Sequence, residues 1–134
     1  MNAATENHGE TAMQYACLIY LEEANFAAMS QKERDGWVNA MLDNDEAMRR
    51  RGHYVSSNAL KTPPNAASVR VRDGRLSVTD GPFAETKEHL SGYIIIEARD
   101  PNEAIQVAAA IPVARVGTIE VRPIEILTRI EMNA

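Results

Sequence analysis

An α+β fold, with one mainly antiparallel sheet and helices on one of its faces, is what this sequence predicts. Three observations carry that reading. Two helix-forming segments each lie between apolar, strand-like runs, so the element order reads β-α-β twice. Between the two units stands SVRVR-DG-RLSVT, whose two-residue Asp-Gly loop fits a β-hairpin. The 134 residues, 45% apolar and 25% charged, suit a single domain that buries a core without disulfides or a structural metal.

Each element has a local reason. Gln14 to Tyr20 (QYACLIY) is apolar on both alternating faces, the pattern of a central strand covered on both sides. After a loop, Ser30-Gln31-Lys32-Glu33 is a capping-box pattern, which predicts a helix from there to about Arg51 with Gly52 as its stop. His53 to Leu60 reads as a second strand, closed by Pro63-Pro64. In the hairpin a type I′ turn at Asp73-Gly74 sets Arg72 opposite Arg75, Val71 opposite Leu76 and Val69 opposite Val78. One hairpin face is then apolar and the other carries Arg70, Arg72, Arg75 and Ser77. Tyr93 to Ala98 (YIIIEA) is a further buried strand. Asp100-Pro101-Asn102-Glu103 opens a second helix, with a capping Asp and Pro at the first helical position. Thr118 to Val121 makes a last strand before Pro123.

Two β-α-β units around an inserted hairpin indicate a ferredoxin-like sandwich. Two helices cover only one sheet face, so a homodimer stacked sheet to sheet is expected to cover the other. The domain is expected over 13–126, between a flexible N-terminal tail (1–12) and a C-terminal tail (127–134).

A net charge of −5 argues against a nucleic-acid binder, since phosphate binding needs an excess of Lys and Arg. No run approaches 18 apolar residues, so no membrane span is expected. The first twelve residues lack the basic start and apolar run of a signal peptide, and the single Cys17 fits a reducing, cytoplasmic setting as a buried, inert thiol. No HExxH, CxxC, GxGxxG or Walker loop occurs, so neither a metal nor a cofactor is expected.

Asp45 is the sharpest physical clue to a site. At about 100° per residue, Trp37, Val38, Met41, Leu42 and Met48 share one helix face, and Asp45 falls inside that apolar stripe. A carboxylate there is costly unless it is paired, hydrogen-bonded or open to a cleft. It is either a structural ion pair or cap, or a ligand-facing, proton-transferring acid. His53, at the helix-to-strand corner, is of a residue type suited to acid–base work, although a His there also complements the helix dipole. The stretch TDGPFAETKEHLSGY reads as a well-made turn: Asp80 and Gly81-Pro82 shape it, Phe83 plugs the core, and a turn or two of helix follows.

That stretch also carries a resemblance. DGPFAETKEHLSGYIIIEARDPNEAIQVAAAIPVARVGTIEVRPI, with MQYACLIY, MRRRGHYVSSNAL and VRVRDGRLSVTDGPF, closely resembles YCII-related proteins of the DGPF type across Met13 to Ile126. The resemblance implies a dimeric α+β barrel in a bacterial, cytoplasmic protein, often encoded beside an extracytoplasmic-function sigma factor. A distant branch of the family includes a dehydrochlorinase acting on a chlorinated hydroxyhydroquinone. Other members have been proposed to use a His on the first helix with a carboxylate. Here that His position falls at or near Met41, and the helix has no His. Asp45 and His53 match the subgroup's helix-end pattern instead, while Asp80, Glu85, Lys87 and Glu88 match the signature stretch.

Two functions from different classes follow. In the first, the protein is a cofactor-independent small-molecule binder or proton-transfer enzyme of the elimination or isomerisation type. Asp45, His53 and Asp80 line its cleft, and Lys87 or Arg122 holds an anionic ligand. In the second, it is a non-catalytic regulatory or interaction protein linked to the sigma factor.

Overall fold

The computed structural model describes residues 12–132. Its main sheet has four strands, β1 (Met13–Leu21), β2 (Tyr54–Ala59), β5 (His89–Ala98) and β6 (Thr118–Pro123), in the order β2-β5-β1-β6. Every neighbouring pair is antiparallel. The helices are α1 (Glu23–Ala27), α2 (Gln31–Arg50) and α3 (Pro101–Ala109). This is an α+β fold with an antiparallel sheet, consistent with the ferredoxin-like kind.

Local chemistry sets the element ends. Ser30 Oγ accepts the Glu33 N–H while the Glu33 side chain accepts the Ser30 N–H, the reciprocal cap expected of that tetrapeptide. At the other end of α2, His53 N–H donates to Met48 O and Gly52 N–H donates to Arg49 O. With Gly52 at φ +80°, this is a Schellman stop. Asp100 caps α3 by accepting the Glu103 N–H.

The core lies between the sheet and α2 and α3. Tyr15, Cys17 and Ile19 of β1 alternate inward beside Ile94, Ile96 and Ala98 of β5, and Met48, Ala104, Ala108 and Ile111 close over them. Burial pushes the Cys17 thiol up to about 11, which keeps it protonated at neutral pH, as expected of a buried thiol. Among the described residues, no helix covers the other sheet face. Ala16 and Leu18 of β1 pair there with Ile95 and Tyr93 of β5, all only half-buried.

Strands β3 (Ala67–Arg72) and β4 (Arg75–Asp80) form a separate two-stranded hairpin. The register pairs Arg72 with Arg75, Val71 with Leu76 and Val69 with Val78, as the Asp-Gly turn predicts. Asp73 and Gly74 both have positive φ, 52° and 73°.

Three details depart from the sequence reading. A short helix, α1, occupies part of the expected loop after β1. The stretch after Pro82 forms no helix, and β5 begins at His89, because His89 and Leu90 pair with Leu21 and Tyr20. Phe83 does not plug the core. It is 78% exposed, with the Arg70 guanidinium 5.5 Å from its ring centroid. Local propensity favoured a turn here, but β-ladder pairing draws the chain away before Phe83 reaches the sheet.

Candidate functional site

The apolar stripe of α2 is wider than the part that touches the sheet. Trp37 and Met41 pack against the core, whereas Val38 and Leu42 are 54% and 59% exposed. Those two border a cavity of about 530 Å³ between α2, α1 and the sheet. Ile19, Gly92 and Ile94 contribute sheet-side lining, and Phe26 and Trp37 supply two aromatic side chains. Gly92 is required there, because a Cβ would come within 2.9 Å of the Asn58 carbonyl oxygen. The size and mainly apolar lining are those of small-molecule sites.

Asp45 lines this cavity from α2. Its Oδ2 accepts a long hydrogen bond, 3.4 Å, from Ser57 Oγ, while Oδ1 is buried without a partner. Ser57 Oγ also lies 2.7 Å from the Tyr54 hydroxyl. Because the Ser57 proton points to the carboxylate, Tyr54 donates to Ser57, and a Tyr54–Ser57–Asp45 chain results. The Arg49 guanidinium stacks 4.4 Å from the Tyr54 ring centroid and pairs with Glu46 at 2.6 Å. Desolvation raises the Asp45 pKa above the ordinary carboxylate value, against smaller lowering effects from the Ser57 hydrogen bond and the Arg49 charge.

Sequence reasoning missed Ser57 and Tyr54, for a definite reason. In a regular strand, residues 54 and 57 face opposite sides. The register between β2 and β5 shifts between Tyr54 and Ser56, so Tyr54 pairs with Ile96 and Ser57 with Ile94, both on the helix-facing side. This β-bulge turns Ser57 toward Asp45. A half-apolar YVSSNA run gives no local sign of it.

The other expected site residues lie elsewhere. His53 is beside a second, polar groove of about 270 Å³ with Asn44, Arg51 and Glu103, between α2 and α3. Its Nδ1–H donates to the Glu97 carbonyl oxygen at 2.8 Å. Asp45 and His53 thus line different depressions. Asp80 ends β4 opposite Ala67, on the exposed hairpin, where Gly81 N–H donates to Ala66 O at 2.7 Å. Glu85 and Lys87 are exposed, and Glu88 accepts a 2.7 Å hydrogen bond from the Thr118 hydroxyl. Arg122 is exposed on β6 and paired with Glu120. Among the described residues, no group of three or more His, Cys, Asp or Glu is placed to hold a metal ion.

The profile of the YCII-related domain matches residues 13–128. The chain belongs to the YCII-related domain family. This YCII-related domain is also 34% identical, over 120 residues, to a protein of Rhizobium meliloti (strain 1021) named "Uncharacterized protein R00369". That alignment covers 84% of this chain and 92% of the relative. Among the described residues, no helix of this YCII-related domain is long and apolar enough to cross a membrane.

The raised Asp45 pKa has a checkable consequence for stability. The folded state holds the Asp45 proton more tightly than the unfolded chain, where the carboxyl has its ordinary pKa of 3.8. Between the two pKa values the folded state binds more protons, so this group's contribution to stability falls as pH rises. It is most favourable below the unfolded pKa and is lost as pH passes the raised folded one. Asp45→Asn removes that slope. The difference in urea midpoint between Asp45→Asn and wild type is expected to move in favour of the variant from pH 3.5 to pH 7. A flat difference would show that Asp45 is not desolvated.

Proposed function

We propose that this protein is a cofactor-independent small-molecule-binding protein whose cavity supports proton transfer, with Asp45 as its acid–base group. One observation carries the reading: a carboxylate with a raised pKa stands in a mainly apolar cavity, hydrogen-bonded by Ser57 alone. A general base works best when its pKa is brought toward the working pH, and desolvation moves Asp45 in that direction. In the ionised form it accepts a proton from a carbon or oxygen acid held against the apolar walls. The electron pair stays on the ligand, as elimination or isomerisation requires. The Ser57 hydroxyl, backed by Tyr54, steadies the carboxylate.

Occupancy is tested with 2-naphthol, a flat, apolar probe of suitable size. In a ¹H–¹⁵N correlation spectrum its addition is expected to shift amides around Trp37, Asp45, Ser57 and Ser91, leaving the hairpin amides in place. Shifts spread over the hairpin, or none at all, would remove the cavity from consideration.

The protein also fits a homodimer stacked through its uncovered sheet face, where Ala16, Leu18, Tyr93 and Ile95 form an apolar centre. A dimeric α+β barrel of this DGPF-type chain would result.

The non-catalytic alternative, an interaction protein, has one specific feature in its favour. The β3–β4 hairpin exposes Val69, Val71, Leu76 and Val78 by 56% to 68%. An isolated two-stranded hairpin is marginal by itself. Under that reading, function depends on the hairpin and survives loss of the Asp45 charge.

A further inference from the structure

Among the described residues no ion pair reaches the half-buried Asp45 carboxylate directly. Arg49, the nearby cation on the same helix, is committed to Glu46 and stacked on Tyr54. From β2 the carboxylate meets only hydroxyls, those of Ser57 and, behind it, Tyr54. Around the rest of the cavity stand Glu23 on α1, Lys61 after β2 and His89 at the start of β5. The cavity therefore holds two carboxylates against one lysine. Asp45 Oδ1 is left buried with no donor, although such groups are normally satisfied. Phe26 and Trp37 add aromatic rings, whose negative quadrupoles attract a cation. The whole chain carries −5, which favours the approach of a positive ligand.

We propose that the cavity takes an organic cation: an amine with an aromatic or aliphatic body, its protonated nitrogen donating to the Asp45 carboxylate and its body lying against the aromatic wall. This rests on the small-molecule reading of the same cavity and narrows it. An ammonium group supplies at once the missing donor for Oδ1, a direct counter-charge and a partner for the aromatic rings. Only a small rotation of the carboxyl about its Cβ–Cγ bond, a broad and soft torsion, is needed to present Oδ1 to it. A neutral alcohol supplies the donor without the charge, and a carboxylate ligand supplies neither.

Three probes of nearly equal shape separate these cases: 2-phenylethylamine, 2-phenylethanol and 3-phenylpropionate, each titrated into the full-length protein by calorimetry at pH 7.5. The amine is expected to bind at least about tenfold more tightly than the alcohol, the margin of a charge-assisted over a neutral hydrogen bond. The anion is expected to be the weakest of the three. In Asp45→Asn the preference for the amine should collapse to within about threefold, and in Lys61→Met it should persist or grow. Equal binding of amine and alcohol, stronger binding of the anion, or a preference that survives Asp45→Asn would overturn the assignment. If none of the three binds while 2-naphthol still shifts the cavity amides, the cation assignment fails and the cavity reading stands. If 2-naphthol also leaves those amides unmoved, both fail together.

Discussion

Gly117→Ala is expected to lose about 3 kcal/mol of folding stability, the upper end of what overpacking usually costs. Gly117 joins the short 3-10 turn Pro112–Arg115 to β6 and donates its N–H to Val113 O at 2.9 Å. A Cβ there would overlap the Tyr20 carbonyl oxygen and stand 2.7 Å from Leu21 Cδ2. The leucine tip can turn away, but the carbonyl belongs to the β1 backbone, which is laddered to β6 on one side and β5 on the other. Relief therefore requires shifting strand pairing, and Leu21 borders the Asp45 cavity, so the site is disturbed as well. Urea unfolding measures the loss. A change under about 1 kcal/mol would mean that the β1–β6 junction yields far more easily than a paired strand should.

Ile96→Ala is expected to cost about 3 to 4 kcal/mol, while Ile95→Ala, its immediate neighbour, costs under about 1 kcal/mol in the monomer. Ile96 is fully buried under the helices, opposite Tyr15 and Tyr54, and alanine there leaves a cavity in the core. Ile95 points to the uncovered face, paired with Ala16 and Ser56, and is only half-buried. In the proposed sheet-to-sheet dimer its loss should be felt in self-association: light scattering across a dilution series is expected to show Ile95→Ala dissociating at higher concentration than wild type. Equal stability losses at both positions, with no change in association, would count against a sheet-to-sheet dimer.

Much of the fold was legible because its signals are local. The capping box at Ser30, the Gly52 stop, the Asp73-Gly74 turn with its register and the Asp100 cap all depend on residues within a few positions of one another. Asp45 was legible too, as a charge on an apolar helix face, and it does line a cavity. Its grouping with His53 and Asp80 was not legible, since sequence order says little about which end of a helix opens onto which depression. His53 sits beside the α2–α3 groove, and Asp80 leaves with the hairpin. The fate of Phe83 was hidden for the same reason. An aromatic residue after a turn is usually buried, and only the route of the chain into β5 leaves it outside.

By itself, then, the sequence determined most of the elements, the caps of the two long helices, the hairpin register, the family and one misplaced charge, because each of these is encoded at short range or in wording that few other chains share. Tertiary structure alone decided what surrounds that charge. A one-residue bulge in β2 places Ser57 and Tyr54 on the Asp45 side, and the close approach of β2 to Gly92 helps shape the cavity. Strand register across a sheet is a property of pairing between distant segments, and a single-residue slip exchanges the two faces. That is why the carboxylate could be read from the chain and its partners could not.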